Sequence, residues 1–339
     1  MRKLDIFNHI FPKPFYELMM EIAPDYEDMG KRVRGVPVLF DLDARFRVMD
    51  RFDDYQQVLS LASPPLEVLG EPGVVERLAR AANDGMSELC RKHPDRFPSF
   101  VASLPMSSPD GLVDEARRAA TELGACGVQV YSNANGKPLD APEILPLFDV
   151  MAELDLPLWL HPARPASHPD YATEDKSKYE IWWTFGWPYE TSVAMARIVF
   201  AGLFDKHPKL KVITHHMGGM IPYFEGRVGP GWDQLGARTS DEDLTLVLER
   251  LEKRPYDYFK MFYADTAVFG ARAATECGLS FFGPDHVLFA SDSPFDPEKG
   301  PMYIRETINI VDNLDVSEED RAKIYRGNAL KLLKLNGSD

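Results

Sequence analysis

The chain reads as an α/β protein, a (β/α)₈ (TIM) barrel with one insertion after strand 1 and an aromatic-rich insertion after strand 5. Three observations predict this. Short apolar runs alternate with stretches of helical spacing along the chain, the pattern of βα units around a parallel sheet. The strand-like runs end at His9, Ser60, Leu104, Tyr131, His161, His215, Ala264 and Ala290, which makes eight, the number that closes a barrel. No glycine-rich dinucleotide or phosphate-loop pattern follows any strand, so a nucleotide-binding doubly wound sheet has no positive support.

In chain order, Lys3-Leu4-Asp5-Ile6-Phe7-Asn8-His9-Ile10-Phe11-Pro12 is an alternating apolar run that delivers one histidine to a strand end and breaks at proline. Residues 13–50 are charged and proline-containing with few periodic apolar positions, and are expected to be an irregular, lid-like insertion. Strand-like runs follow at 56–61, 97–104, 126–131 and 156–161, separated by helical spacing over 76–93, 111–123 and 142–154. The second insertion, 163–188, holds Tyr171, Tyr179, Trp182, Trp183, Phe185 and Trp187. A helix is expected over 190–204, then strands over 209–214, 258–264 and 286–290. Residues 317–335 read as a closing helix capped by Ser317, three residues before Asp320. No composition shift or internal repeat divides the chain, so residues 1–339 are expected to form one barrel domain.

Composition narrows the function. At 339 residues and 45% hydrophobic content the chain can bury a large core. Its net charge of −15, without a basic block, argues against nucleic acid or an anionic membrane as partner. Cys90, Cys126 and Cys277 are odd in number and far apart, which suits buried thiols in a reducing cytoplasm better than disulfides or a zinc knuckle. No secretory core or bilayer-spanning run is present, so a soluble cytoplasmic protein is expected.

Four strand ends carry metal-ligand types: His9, His161, the His215-His216 pair and Asp292. A barrel gathers the C-terminal ends of its strands on one face, and imidazoles with a carboxylate around an open position suit a catalytic divalent ion. Each histidine alone could be a satisfied core residue, and Asp292 also suits a helix N-cap. His93, His168, His207 and His286 lie beside Pro or Asp in loops or helix ends and read as solvated or capping.

The segments Asp5-Ile6-x-x-His9, Leu160-His161-Pro162, Gly186-Trp187-Pro188-x-Glu190-Thr191-Ser192 and Pro208-x-Leu210-Lys211-Val212 carry a resemblance. They are joined by His216-Met217-Gly218-Gly219 with Arg227 eleven residues on, Ser291-Asp292-x-Pro294-Phe295 and Gly327-Asn328-Ala329. Together they make the chain resemble the metal-dependent amidohydrolase superfamily. The branch is that of 2-amino-3-carboxymuconate-6-semialdehyde decarboxylase and the hydroxybenzoate decarboxylases. The resemblance implies His9, His161 and Asp292 as metal ligands and His216 as the proton-transfer histidine, with Asp292 sharing that work. It implies Arg227 as a carboxylate-binding arginine reaching a neighbouring subunit's site, hence a homodimer, and Trp183 as a pocket residue. Arginines 32, 34, 45 and 47 are looser candidates for a second carboxylate contact. His215 matches no role in that pattern and is expected to be structural.

One departure stands in the first strand. The resemblance leads to His-x-His or Glu-x-His there, whereas this chain has Phe7-Asn8-His9. Phenylalanine cannot ligate. The ion, zinc or manganese, is then expected on the three remaining ligands with extra waters, held weakly, or absent. Asn8 alternates away from His9 and is a poor substitute. Three activities stay open: a nonoxidative decarboxylase of a small unsaturated or aromatic carboxylic acid, a metal-dependent hydrolase or hydratase, and a metal-free ligand-binding relative.

Overall fold

Hydrogen bonds between the first and last strands close the sheet of this protein on itself. The computed structural model describes residues 1–26, 29–238 and 242–335. Its barrel strands are β1 (Lys3–Ile10), β2 (Tyr55–Leu61), β3 (Ala102–Ser103), β4 (Val128–Tyr131), β5 (Leu158–His161), β6 (Val212–Thr214), β7 (Tyr263–Asp265) and β8 (Val287–Leu288). β1 pairs in parallel with β2, and β3 through β8 follow one another in a parallel sheet. Leu59 bridges Phe100 between β2 and β3. Across the remaining seam Ile6 N donates to Phe289 O at 3.0 Å, Asp292 N to Phe7 O at 2.9 Å, and His9 N to Ser293 O at 2.7 Å. The ring is complete, as the alternation of elements predicts.

Leu4, Val58, Val101, Trp159, Ile213 and Leu288 fill the barrel, and a larger apolar layer lies between the strands and the outer helices. Trp159 is the bulkiest interior residue, and its Nε1 donates to Ile6 O at 3.2 Å. Gly127 makes room for it, because a Cβ there would lie 2.5 Å from the indole and 2.4 Å from Pro157 O.

Several elements differ from the sequence reading. Residues 13–50 are largely helical, with helices at Lys13–Ile22, Gly30–Arg34 and Leu42–Met49. Pro14 sits in the first turn, where its missing N–H is harmless, and Phe15 and Met19 are buried one turn apart. Charge on the outer face hid that short stripe. The run at 258–264 is a helix end, Pro255–Phe259, followed by the strand Tyr263–Asp265. The closing segment is broken into Glu318–Ala322, a π turn at Lys323–Gly327 and Asn328–Leu332. Its cap holds, since Ser317 Oγ accepts from Asp320 N at 3.1 Å. Among the described residues no helix is long and apolar enough to cross a membrane.

The most consequential deviation lies in β1. Asp5 pairs with Gln57 but Asn8 pairs with Leu59, so β1 holds one residue more than β2 over this stretch. Such a bulge reverses the facing of the residues beyond it. Leu4, Ile6 and Phe7 all pack inside with Val58, and the ring of His9 then faces the same side as Phe7, with centroids 4.6 Å apart.

Glu67, in the turn after β2, is 6% exposed and accepts from Met106 N at 2.7 Å. Burial pushes its carboxyl up to about 7 despite hydrogen bonds from backbone N–H groups, against an ordinary 4.5. The folded state therefore holds the proton more tightly than the unfolded chain, and its contribution is lost as pH rises from about 4.5 to about 7. Relative to wild type, Glu67→Gln should gain up to about 3 kcal/mol across that window and nothing further above it. Urea denaturation of both proteins at a series of pH values checks this, and a pH-independent difference would refute it.

Candidate metal centre and substrate cavity

Each site residue sits where a strand ends. His161 closes β5, His215 and His216 directly follow β6, and Asp292 follows β8 across the seam from His9. All five are buried, from 1% exposure at His9 to 9% at His216. His9 Nε2 lies 2.8 Å from Asp292 Oδ1, while His215 Nε2 is 3.8 Å from that oxygen and His216 Nε2 is 3.6 Å from Asp292 Oδ2. Ligand atoms of His9, His161 and His215 fall within 4.8 Å of one another, and so do those of His215, His216 and Asp292. His9 thus stands beside Asp292 and shares a group with His161, and His215, which sequence reasoning set aside, belongs to both groups. The available signal was the doublet itself at a strand end.

The electrostatics suit a cation. Burial pushes the Asp292 carboxyl up, but the surrounding imidazoles of His215, His216 and His9, the last hydrogen-bonded to it, outweigh burial and hold the group well below its ordinary range. Burial and the neighbouring His215 and His9 push the His161 imidazole well down, and burial with His215 lowers His216, so both rest neutral. Two buried nitrogens, His215 Nε2 and His216 Nε2, have no hydrogen-bond partner. Orphaned buried imidazole nitrogens around a carboxylate are a set that a bound cation would satisfy, so these residues fit a divalent ion. Asp292 and His216 also hold left-handed backbone angles, φ +60° and +52°, a strain that concentrates at functional positions.

Behind β1 a buried polar layer fixes the site. Arg45, 1% exposed, donates through Nη1 to His9 O at 2.6 Å and through Nε to Gln57 Oε1 at 2.8 Å, and its Nη2 bonds Asn8 Oδ1. Asn8 in turn donates to Val58 O at 3.0 Å, which confirms that it faces away from the centre. Burial lowers Arg45 to about 10, so it stays charged at neutral pH. Asp5 accepts from Tyr55 OH and, at 2.5 Å, from Ser291 Oγ, tying β1 to the turn that carries Asp292.

A cavity of about 890 Å³ opens above His9, His161 and Asp292. Trp182, Trp183, Trp187, Phe269, Phe295 and Tyr303 wall it, and Lys31, Arg32 and Lys299 stand at its rim. Trp183 lines this cavity, and Trp187 meets His161 edge-on at 5.6 Å. Of the loosely placed arginines only Arg32 lines the cavity, while Arg45 is the buried anchor. Lys299 and Tyr303 were missed, since the first lies in a connection without a motif and the second in the first turn of the helix Pro301–Asp312 that follows it. Arg227 does not line this chain's cavity. It is exposed, with its guanidinium 5.8 Å from the Phe224 ring.

Barrel and floor together define a metal-dependent enzyme of the TIM-barrel class. More narrowly, the chain belongs to the amidohydrolase family, whose profile matches residues 8–335. It is 32% identical over 305 residues to a gamma-resorcylate decarboxylase of Rhizobium sp., covering 87% of this chain and 88% of that one. It is also 29% identical to the 2-amino-3-carboxymuconate-6-semialdehyde decarboxylase of Dictyostelium discoideum, over 98% of this chain and 92% of that one. Among solved structures it resembles a dihydroxybenzoic acid decarboxylase of Polaromonas sp. holding manganese and 2-nitroresorcinol. The TM-score there is 0.79 with 29% identity, over 99% of this chain and 98% of that one.

Removing Arg45 would leave Asn8 Oδ1, His9 O and Gln57 Oε1 without their donor in the interior. Arg45→Met should lower stability by roughly 3 kcal/mol, read as a shift of the urea midpoint. An unchanged midpoint would show that the anchor is not needed.

Proposed function

We propose that this chain is a metal-dependent nonoxidative decarboxylase, a carbon–carbon lyase acting on a small aromatic or unsaturated carboxylic acid. The observation that carries the reading is the convergence of His9, His161 and Asp292 on the floor of an aromatic-walled cavity with cations at its rim, with His216 Nε2 3.6 Å behind Asp292 Oδ2. The decarboxylase relatives favour it over the hydrolase, hydratase and metal-free readings. One barrel domain carries the whole activity.

His9, His161 and Asp292 would hold a divalent cation, zinc or manganese. When bound, such an ion polarises substrate oxygens and serves as a template for their placement. The remaining work falls to the chain. Trp182, Trp183 and Trp187 accept a flat ring and exclude water, an apolar setting in which loss of the carboxylate charge is favoured. Arg32 offers a guanidinium fork to a carboxylate or phenolate, and Tyr303, which burial holds protonated with its pKa at about 12, offers a hydroxyl donor. As the carboxyl carbon leaves as CO₂, the bond's electron pair stays on the substrate carbon, and a proton must arrive there. His216 Nε2, without a partner and 3.6 Å from Asp292 Oδ2, is the group positioned to move it, with Asp292 sharing the transfer.

We further place the protein in the cytoplasm as a homodimer. Three free thiols support a reducing compartment. The exposed Arg227, remote from its own chain's cavity, suits delivery to a partner's site.

His216→Ala should lower turnover by about 10²–10⁴-fold while leaving metal content unchanged, measured by CO₂ release from a panel of hydroxybenzoates and muconate-type acids alongside elemental analysis. An active, metal-replete variant would sink the assignment. If Arg227 acts across a dimer, mixing inactive Arg227→Ala and His216→Ala chains should restore part of the activity in the heterodimer, because one site regains both groups. No recovery in a verified heterodimer would remove the trans role.

A further inference from the structure

Resting on the metal-dependent reading above, we propose that His215 is a ligand of the cation. It would supply from β6 the donor that Phe7 does not offer from β1, with Asp265 as its orienting carboxylate.

The polarity of the rings points to this. His9 Nδ1 faces Leu61 O at 3.2 Å and His161 Nδ1 faces Pro162 O at 2.6 Å. A carbonyl oxygen can only accept, so each Nδ1 carries a hydrogen and each Nε2 is the nitrogen turned to the centre, that of His9 lying 2.8 Å from Asp292 Oδ1. His215 repeats the arrangement, with Nδ1 against Asp265 Oδ2 at 2.5 Å. Asp265 is itself fixed, since its Oδ1 accepts from His216 N and Ala267 N, both at 3.0 Å. A carboxylate or carbonyl behind an imidazole is the usual support of a metal-binding histidine. His215 Nε2 is then left buried without a partner, 3.8 Å from the nearest Asp292 oxygen and within 4.8 Å of the ligand atoms of His9 and His161.

Phe7 accounts for why the donor comes from β6. Its ring centroid is 3.7 Å from that of His215 and 4.6 Å from that of His9. The phenyl group fills the β1 side of the centre with carbon and backs the His215 ring. His216 takes a different place: its Nε2 faces Asp292 Oδ2 at 3.6 Å, whereas His9 and His215 both face Oδ1. The doublet therefore divides its work, with His215 on the cation and His216 on the proton.

The test uses the full-length protein loaded with Co(II), observed by proton NMR, where each coordinated imidazole with a free N–H gives an exchangeable, hyperfine-shifted signal. Wild type should show signals from His9, His161 and His215. His215→Gln should lose one of them and bind Mn(II) about 10–100-fold more weakly, with folding verified by the melting of the metal-free proteins. Two such signals in wild type, or unchanged affinity and spectrum in His215→Gln, would overturn the proposal, and the wild-type spectrum decides even if the variant does not fold. If wild type also releases CO₂ in that case, the decarboxylase reading survives alone. Three signals in a protein that decarboxylates none of the acids would leave His215 on the metal and remove the activity. A folded wild type that takes up no Co(II) overturns both.

Discussion

The seam between the first and last strands is the contact on which the centre depends. His9 and Asp292 are 283 positions apart in sequence, yet their side chains stand 2.8 Å apart because three backbone hydrogen bonds lock β1 to the turn after β8. Asp5 strengthens the seam from behind by accepting from Ser291, the residue before Asp292. A slip of one residue along it would turn either His9 or its neighbours away from the cavity. The interior packing around Trp159 opposes such a slip, since β1, β2, β5, β6 and β8 all contribute to that cluster.

Gathering four imidazoles at one buried point is unfavourable by itself, and the surroundings show how it is tolerated. Asp292 stays ionised at the middle of the group, and Asp265 stands behind His215. These carboxylates raise His215 to about 9 even though burial alone would lower it. Burial and the neighbouring imidazoles push His161 and His216 down, His216 despite Asp292 beside it, and both stay neutral. The centre therefore separates its histidines by environment: some face fixed acceptors that set their hydrogens, and His216 keeps a free nitrogen. Neighbouring titratable groups whose environments drive them apart are a common sign of divided chemical roles.

Much of this was legible in the sequence because barrels obey strong periodic rules. Each of the eight strand-like runs has its observed strand end within about two residues of the expected one, and that periodicity put His9, His161, the His215-His216 pair and Asp292 at strand ends, while only the resemblance singled out three of them as ligands. What escaped depends on events without a local signature. The extra residue in β1 is a matter of pairing with β2, which no single strand reveals. The helix Lys13–Ile22 shows only Phe15 and Met19 as its buried stripe, too short to stand out among charges. His215 was set aside because it matches no role in the family pattern, and its partner, Asp265, is fifty positions away and meets it only when β6 lies beside β7.

The bulge and Phe7 belong to one structural argument. With the extra residue, β1 turns Ile6, Phe7 and then His9 toward the interior, and Asn8 goes outward to meet Arg45 and the Val58 carbonyl. Phe7 thus stands beside the centre as a hydrophobic wall, sealed by the rings of His9 and His215. Carbon on that side excludes water from beneath the ligands and strengthens every charge interaction at the floor of the cavity. The opposite side stays open toward the tryptophans and the rim cations. The polarity of the site is therefore set by one strand: dry below, against the Phe7 ring, and accessible above, toward the tryptophan-walled cavity.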